Sequence, residues 1–399
     1  MKHLAVLAAL LAPVSALADV NPTDWDEVVA QASGQTVYWN AWGGSTTTNE
    51  FIAWVGERVA AEYGVTLEHV KLTDTADAVT RVISEKQAGQ DDDGAIDMIW
   101  INGANFAAMK EADLLFGPYA EELPNWALVD TEGKTVQTDF TVPVEGYESP
   151  WAMAQVVFVH NTATMPDPLG SMQALQEWAQ ANPGRFSYPQ PPDFLGTTFL
   201  KQVLVDILDD PSVLAAPATD ETYAQVTAPL WAYLDALTPN LWREGKAYPA
   251  TGTAMFPLIT DGEIDLSISF SPGAASTAIA NFELPDTVRT FVLDKGTIGN
   301  ASFVAIPYNS GSKEGAMVVA NFLMSPEAQA RAQDPAILGY GTVLNMAALS
   351  EQERAVFDNL ELGIATLSPA ELGQVQDEPH PSWMTRIADD WVARYGVAQ

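Results

Sequence analysis

Three strand–loop–helix units follow one another in the first 115 residues, and they restrict the fold more than any other feature of the chain. Thr36-Val37-Tyr38-Trp39-Asn40 is β-branched and aromatic, Val65 to Leu72 alternates with a period of two, and Ala95 to Ile101 is a short apolar run, so each reads as a strand. Each leads through a small or polar loop into helical spacing: Phe51, Trp54, Val55, Val59 and Ala60 first, then Ala78 to Ala88, then 107–115. Parallel strands need a crossover, and a helix between strands supplies it, so the three strands are expected in one open parallel sheet. Ligands of such sheets sit beyond the strand C-termini. The expected class is therefore α/β, with the loops after Asn40, Leu72 and Ile101 converging at one edge.

Those loops hold the first candidate contacts. Trp42 stands beside Gly43 and Gly44, and Ser45 begins a Ser/Thr run that caps a helix starting near Asn49 and leaves backbone N–H groups free. Either this is a ligand loop or an ordinary βα turn. Thr73-Asp74-Thr75-Ala76-Asp77 caps the next helix and offers Thr75 and Asp77. Asn102 and Asn105 in the third loop carry amides that both donate and accept, although tolerance of a left-handed turn also explains them.

Residues 141–161 read as a loop broken by Pro143, Gly146 and Pro150 that feeds an apolar strand, Ala154 to Val159. Such a strand suits a passage from one lobe to another, with Tyr147, Glu148 and Trp151 left at the crevice. Further on, Phe194-Leu195-Gly196-Thr197-Thr198 repeats the chemistry of the first loop ahead of a helix, Phe199 to Leu208, so Phe194 and Thr197 are candidates on a second lobe. The loop Leu241 to Lys246 adds Trp242 and Glu244. Thr260 to Phe270 reads as a turn and an alternating strand that ends in Ser271-Pro272-Gly273, and a second crossing strand, Ile298 to Pro307, carries Asn300. The expected division is 19–155 for the first lobe and 156–305 for the second, with 306–399 forming a return crossing and terminal helices on either lobe.

Length agrees with two lobes, because 399 residues with 47% hydrophobic content exceed what a single core of roughly 250–300 residues organises. Met1-Lys2-His3, the apolar Leu4 to Val14 and Ala16-Leu17-Ala18 form a secretory signal over 1–18, cleaved after Ala18. No later run is long and charge-free enough to span a bilayer. The chain has no cysteine, hence no disulfide and no lipidated cysteine anchor, which points to a Gram-negative periplasm. Fifty-two acidic against 18 basic residues give a net charge of −34, which disfavours nucleic acid and anionic lipid. The excess acid fits a cationic ligand, or a solvated surface in a saline habitat; the acids are scattered.

Several chemistries lack their residues. There is no G-x-S-x-G, and Ser310-Gly311-Ser312-Lys313 has no S-D-N or K-T-G partner. Phosphate and dinucleotide glycine motifs are missing, and Gln90 to Gly94 lacks the spacing of a calcium loop. His69, His160 and His380 stand too far apart for metal-ligand spacing. No enzyme, cofactor or metal is expected; a hydrolase using a carboxylate pair is the alternative, with no pair singled out.

Asp261-Gly262-Glu263-Ile264-Asp265-Leu266, Phe303-Val304-Ala305-Ile306-Pro307 and Val319 to Gln329 resemble stretches of the bacterial extracellular solute-binding proteins of ABC transporters. A closer resemblance, to the YnjB-type subfamily, covers nearly the whole mature chain. It rests on Asn40 to Gly44, Thr73 to Val79, Trp100 to Gly103, Leu123 to Trp126, Glu148 to Trp151, Pro191 to Phe194, Leu241 to Lys246 and Ile298 to Asn300. The resemblance implies a two-lobed type II periplasmic-binding-protein fold with a hinge crossed two or three times, and a permease and its ATPase as partners. It names no substrate. The expected protein is a monomer that closes on a small molecule. Trp42, Tyr147, Trp151, Phe194 and Trp242 supply flat walls, or else pack in the core, and Gly43, Ser45, Asn102, Asn105, Thr197 and Asn300 orient the ligand. Glu148, Glu244 and Asp77 with these aromatics suit a ring-bearing organic cation such as thiamine. An anion held by helix N-termini and Arg243 stays open, and dispersed tyrosines disfavour ferric iron.

Overall fold

The hydrophobic spacing of the first two units produces their expected pairing in the computed structural model, which describes residues 20–397; the signal reading of 1–18 lies outside the described residues. β1 (Thr36–Trp42) and β2 (Thr66–Leu72) are parallel from Thr36↔Thr66 to Trp42↔Leu72, joined by the helix Thr46–Tyr63. Ser45 caps that helix by accepting from the Thr48 N–H at 3.4 Å, and Gly64 ends it at φ 71°, in the left-handed region that glycine enters freely. β3 (Met98–Ile101) runs parallel to β1 on its other side. β4 (Thr138–Asp139) and β5 (Val142–Pro143) form a separate small hairpin.

β6 (Glu148–Gln155) and β7 (Val157–Asn161) are one extended run interrupted at Val156. β8 (Leu266–Ser269) and β9 (Val288–Phe291) flank β7 antiparallel and make a second sheet. β10 (Thr297–Ala305) returns to the first sheet, antiparallel to β3 on one side and to β6 on the other. β11 (Val375–Gln376) lies parallel to the start of β10. The chain thus leaves the first sheet at Val156 and comes back between Phe291 and Thr297, and β6 and β10 form a ribbon with Gln155↔Gly299 at the crossing and Glu148↔Ala305 at the far end.

Each sheet is covered on both faces, which is why inner strands such as β3 and β7 read as apolar runs, whereas β2, at the edge of the first sheet, alternates. In the first lobe Val37, Trp39 and Ala41 pack under the helices Thr46–Tyr63 and Lys313–Leu323, and Ile99 and Ile101 pack with Val79, Val82 and Phe106 on the other side. In the second, Phe158, Ile268 and Phe291 meet Phe199, Leu200 and Leu234 on one face, and Val159, Ile264 and Val288 form a smaller core on the other.

The terminal helices divide between the lobes. Lys313–Leu323, Pro326–Gln333 and Glu351–Asp358 belong with the first. The chain then crosses a third time: the Ala365 N–H donates to Ser276 Oγ and its carbonyl accepts from Thr290 Oγ1 in the second lobe. Pro381–Tyr395 buries Trp383 and Trp391 in the second core, where the Trp391 indole donates to Tyr188 Oη at 3.0 Å.

Four local expectations change. Residues 148–153 are strand rather than loop, because β6 is an outer strand on which Pro150 needs no N–H partner, and a bulge opposite Ser302/Phe303 absorbs the irregularity. The third helix starts at Ala104, not 107. Phe194 to Thr198 is the first turn of the helix Phe194–Ile207, since Asp193 accepts from the Leu195 and Gly196 N–H groups and caps it there. Thr260 ends a short helix, Met255–Thr260, and only Leu266–Ser269 of the following stretch is strand.

Candidate functional site

The C-terminal ends of β1 and β3 face the crossing end of the second sheet, and the sequence between β3 and its helix begins the site. Gly103, at φ 60°, donates its N–H to Asp139 Oδ2 at 2.5 Å, and Asn102 Nδ2 donates to Ala301 O at 2.8 Å and to Asp139 Oδ1 at 3.3 Å. Asp139 is fully buried. Burial pushes its carboxyl up to about 7, while the hydrogen bonds from Gly103 and Asn102 oppose the shift. The hairpin that holds Asp139 turns on Phe140 and Thr141 at φ 44° and 69°. Two-residue hairpin turns with positive φ normally take Asn-Gly, so this tip carries strain of roughly 1–3 kcal/mol per residue. It presses the Phe140 ring over Gly103, where a Cβ would come within 2.9 Å of it.

From the second lobe, the helix Phe194–Ile207 presents Phe194, Thr197 and Lys201 at i, i+3 and i+7, hence on one face. Lys201 is fully buried. Its ammonium donates to Glu378 Oε2 at 2.6 Å and lies 4.3 Å from the Phe140 ring centre and 5.4 Å from that of Phe194. Asn300 Nδ2 donates to the other Glu378 oxygen at 3.0 Å, an approach set by the parallel pairing of β11 with β10. Burial lowers the ammonium and raises the Glu378 carboxyl, and their contact opposes both shifts. Thr141 Oγ1 and Thr197 Oγ1 are buried without a hydrogen-bond partner among the described residues. The lobes meet again where the helix Ala104–Glu111 packs against Pro381–Tyr395.

Among the residues singled out from sequence, Asn102, Phe194, Thr197 and Asn300 come together here. Trp42, Gly43, Gly44 and Ser45 form the rim, with the Trp42 indole lying against Gly44 and Asn49 Nδ2 donating to Gly43 O at 3.1 Å. Thr75 Oγ1 donates inward to Trp100 O, Asp77 is exposed, and Asn105 is half-buried in the first turn of its helix. Ser271 Oγ donates to Leu338 O at 3.3 Å, in a loop whose Gly273 rests on Gly339.

The others lie elsewhere. Tyr147 and Glu148 stand at the end of the first sheet remote from the crossing, because Glu148 pairs with Ala305, which pairs with Ile99. Tyr147 packs on Gly117; Glu148 is fully buried, neither oxygen has a partner among the described residues, and burial followed by Asp139 pushes its carboxyl well up. Trp151 is core: it stacks on Phe51 with ring centres 6.0 Å apart and meets Trp39, Trp100 and Tyr340 edge-on. Trp242 and Glu244 lie at the outer end of the second sheet, where the Trp242 N–H donates to Phe186 O; its indole donates to Glu263 and is covered by Arg243, and exposed Glu244 pairs with Lys246. Asp139, Phe140, Lys201 and Glu378 were not anticipated. Lys201 has a signal, as the one charge in the apolar run Phe199 to Val205; Glu378 has none.

Two open hollows lie away from this cluster, about 770 Å³ beside Trp54, Phe322 and Arg331 and about 530 Å³ beside Asp235, Lys246 and Tyr395. Among the described residues no three His, Asp or Glu are grouped to hold a metal, and no helix is long and apolar enough to cross a membrane.

The sequence profile of the bacterial extracellular solute-binding proteins matches residues 54–356. The chain belongs to this family. Protein YnjB of Escherichia coli (strain K12) is 43% identical over 397 residues, covering the whole of both chains. The periplasmic binding protein AfuA from Actinobacillus pleuropneumoniae, bound to exogenous fructose-6-phosphate, superposes with a TM-score of 0.64 at 14% identity, over 92% of this chain and 100% of that one. Apo ferric ion-binding protein A from Pasteurella haemolytica gives 0.63 at 13% identity, over 90% and 97%. A putative spermidine/putrescine ABC transporter protein from Listeria monocytogenes gives 0.62 at 16%, over 90% and 98%. The fold is that of the type II periplasmic binding proteins. The chain is thus an extracellular solute-binding protein, of a family that is non-enzymatic.

Proposed function

We propose that this protein captures a small organic cation between its lobes in the periplasm and delivers it, as a monomer, to an inner-membrane permease. The secretory signal is removed after Ala18, and the parts that move are those begun by 19–155 and 156–305, with the chain from 306 onward returning to both. Contacts made to both lobes at once favour the closed state by the ligand's differential affinity for it.

The observation that carries the ligand class is the balance of charge at the crossing. Two buried carboxyl groups, Asp139 and Glu378, face one ammonium, Lys201, between two aromatic rings; Glu378 already carries its charge against Lys201, and Asp139, raised to about 7 by burial, gives up its proton where a second cation comes beside it. At the rim, Asp74 and Asp77 are exposed beside the exposed Lys71. A ring-bearing cation such as thiamine or a related compound matches rings plus carboxylates through stacking and cation–π attraction. Of the ligand classes that the names of the structural neighbours mention, a polyamine fits this balance, and a sugar phosphate does not.

Thermal unfolding of the chain from Asp19, screened against thiamine compounds, polyamines, amino acids, sugar phosphates and metals, tests the proposal. Ligand at 100 times its dissociation constant adds about 2.7 kcal/mol, which is visible as a raised midpoint. A rise with organic cations alone supports it, and a rise with sugar phosphates alone overturns it.

A further inference from the structure

An ammonium group leaves water for a protein interior only where a carboxylate accepts its hydrogen bonds and where aromatic faces or dipoles replace the remaining hydration. Such a place exists at the crossing. Glu378 accepts from the Lys201 ammonium at 2.6 Å, and the Phe140 and Phe194 rings lie within 6 Å of it, Phe140 from the first lobe and Phe194 from the second. Glu378 is in turn held by Asn300, and Asp139 lies close behind with Asn102 and Gly103 donating to it. The cage is therefore assembled from both lobes and from the terminal segment.

We infer that this cage is an ammonium subsite, filled from the second lobe by Lys201 and entered by the alkylammonium head of a ligand that displaces it. The inference rests on the reading of the crevice as a cation-capture site. Two independent features point to a ligand at this surface. Buried hydroxyls without partners among the described residues belong to the elements that build the cage: Thr197 lies one turn before Lys201 on the same helix face, and Thr141 follows Phe140 at the hairpin tip. The hairpin tip that positions Phe140 is strained at two successive non-glycine residues, and such strain persists where a site depends on it. A lysine suits the exchange because its charge is a point at the end of a flexible four-carbon stem, which can withdraw. Anions are disfavoured, since Glu378 already neutralises the one ammonium.

The competing explanation is a purely structural ion pair that fastens the terminal segment to the helix Phe194–Ile207. The unaltered protein separates the two, because propylammonium enters it only by displacing Lys201; Lys201→Ala, which deletes the volume and charge of a propylammonium ion, shows where the ion goes. Calorimetry and thermal midpoints of the whole mature chain are compared in propylammonium chloride and in sodium chloride at equal ionic strength. The expected result is that Lys201→Ala binds propylammonium at least about tenfold more tightly than the unaltered protein, with a midpoint raised only by propylammonium, and that Phe140→Leu added to Lys201→Ala removes the gain. A midpoint raised by propylammonium over sodium is expected of the unaltered protein too; equal midpoints of the unaltered protein in the two salts, or a gain in Lys201→Ala that survives Phe140→Leu, overturn the inference. Should Lys201→Ala not fold in sodium chloride, the unaltered protein and its Phe140→Leu variant decide: a midpoint raised by propylammonium in the first and not in the second supports the subsite, and no rise in the first overturns it. The capture reading fails separately: if the unaltered protein takes propylammonium but none of the thiamine compounds or polyamines raises its midpoint, the subsite stands and the proposed ligand class falls.

Discussion

The Lys201 ammonium, on the second lobe, lies 4.3 Å from the centre of the Phe140 ring, on the first. Both partners are buried. Replacing Phe140 by Ala removes the ring and is expected to cost about 1–2 kcal/mol of the interlobe attraction. Small-angle scattering should show a larger radius of gyration for Phe140→Ala than for the parent chain, and an unchanged radius counts against a role in closure.

Glu378→Gln leaves Lys201 with a neutral amide in place of its counter-ion. Breaking a buried pair on one side costs about 3–5 kcal/mol, so the unfolding free energy from urea titration should fall by that much, with a lower midpoint. Lys201→Met with Glu378→Gln removes both charges, and it should recover most of the loss.

Asp139 gives a pH test with a definite sign. Burial raises its carboxyl from the ordinary range to about 7, so between roughly pH 4 and pH 7 the folded chain holds a proton that the unfolded chain has released. Its contribution is fully present below the unfolded value, falls as pH rises through this window and is gone above about pH 7. Asp139→Asn should therefore flatten the fall, by an amount on the order of 3–4 kcal/mol between pH 4 and pH 8. The quantity to measure is the difference between parent and variant, since the other acids titrate in both.

Thr141→Gly relieves a left-handed backbone at φ 69° and should raise stability by about 1 kcal/mol. If the threonine hydroxyl meets ligand, the same change lowers the ligand-induced rise in midpoint. Gain without that loss would make Thr141 a turn residue only.

Trp242→Ala should leave any ligand-induced rise in midpoint unchanged, because Trp242 lies at the outer end of the second sheet. Trp151→Ala should lower stability by about 3–5 kcal/mol through lost core packing. A selective loss of binding in Trp242→Ala would contradict this placement.

The β-branched runs and helical spacing of the first 115 residues make the parallel sheet and its ligand edge readable, since period and strand order follow from the chain locally. The position of the crevice along β6 is not readable in that way. Taking the strand to begin at Ala154 puts Glu148 and Trp151 beside the crossing, whereas pairing with β10 extends the strand back to Glu148, about 23 Å along it. Phe194 and Thr197 reach the crevice from a helix face instead of a loop, because the helix begins earlier than its apolar run suggests. Asp139 and Glu378 come from a two-residue hairpin strand and from the tail, and only tertiary pairing brings such distant short segments together.

The third passage between lobes bears on how they part. Two adjacent strands alone would let one lobe twist as well as tilt. The tail adds a fixed line beside them, hydrogen-bonded along β10 before its last helix becomes part of the second core. Rotation about the long axis of the ribbon is thereby restrained, and one swinging direction is left open. On the proposed capture function, a solute leaves through a single mouth, on the side where Trp42 and Ser45 stand.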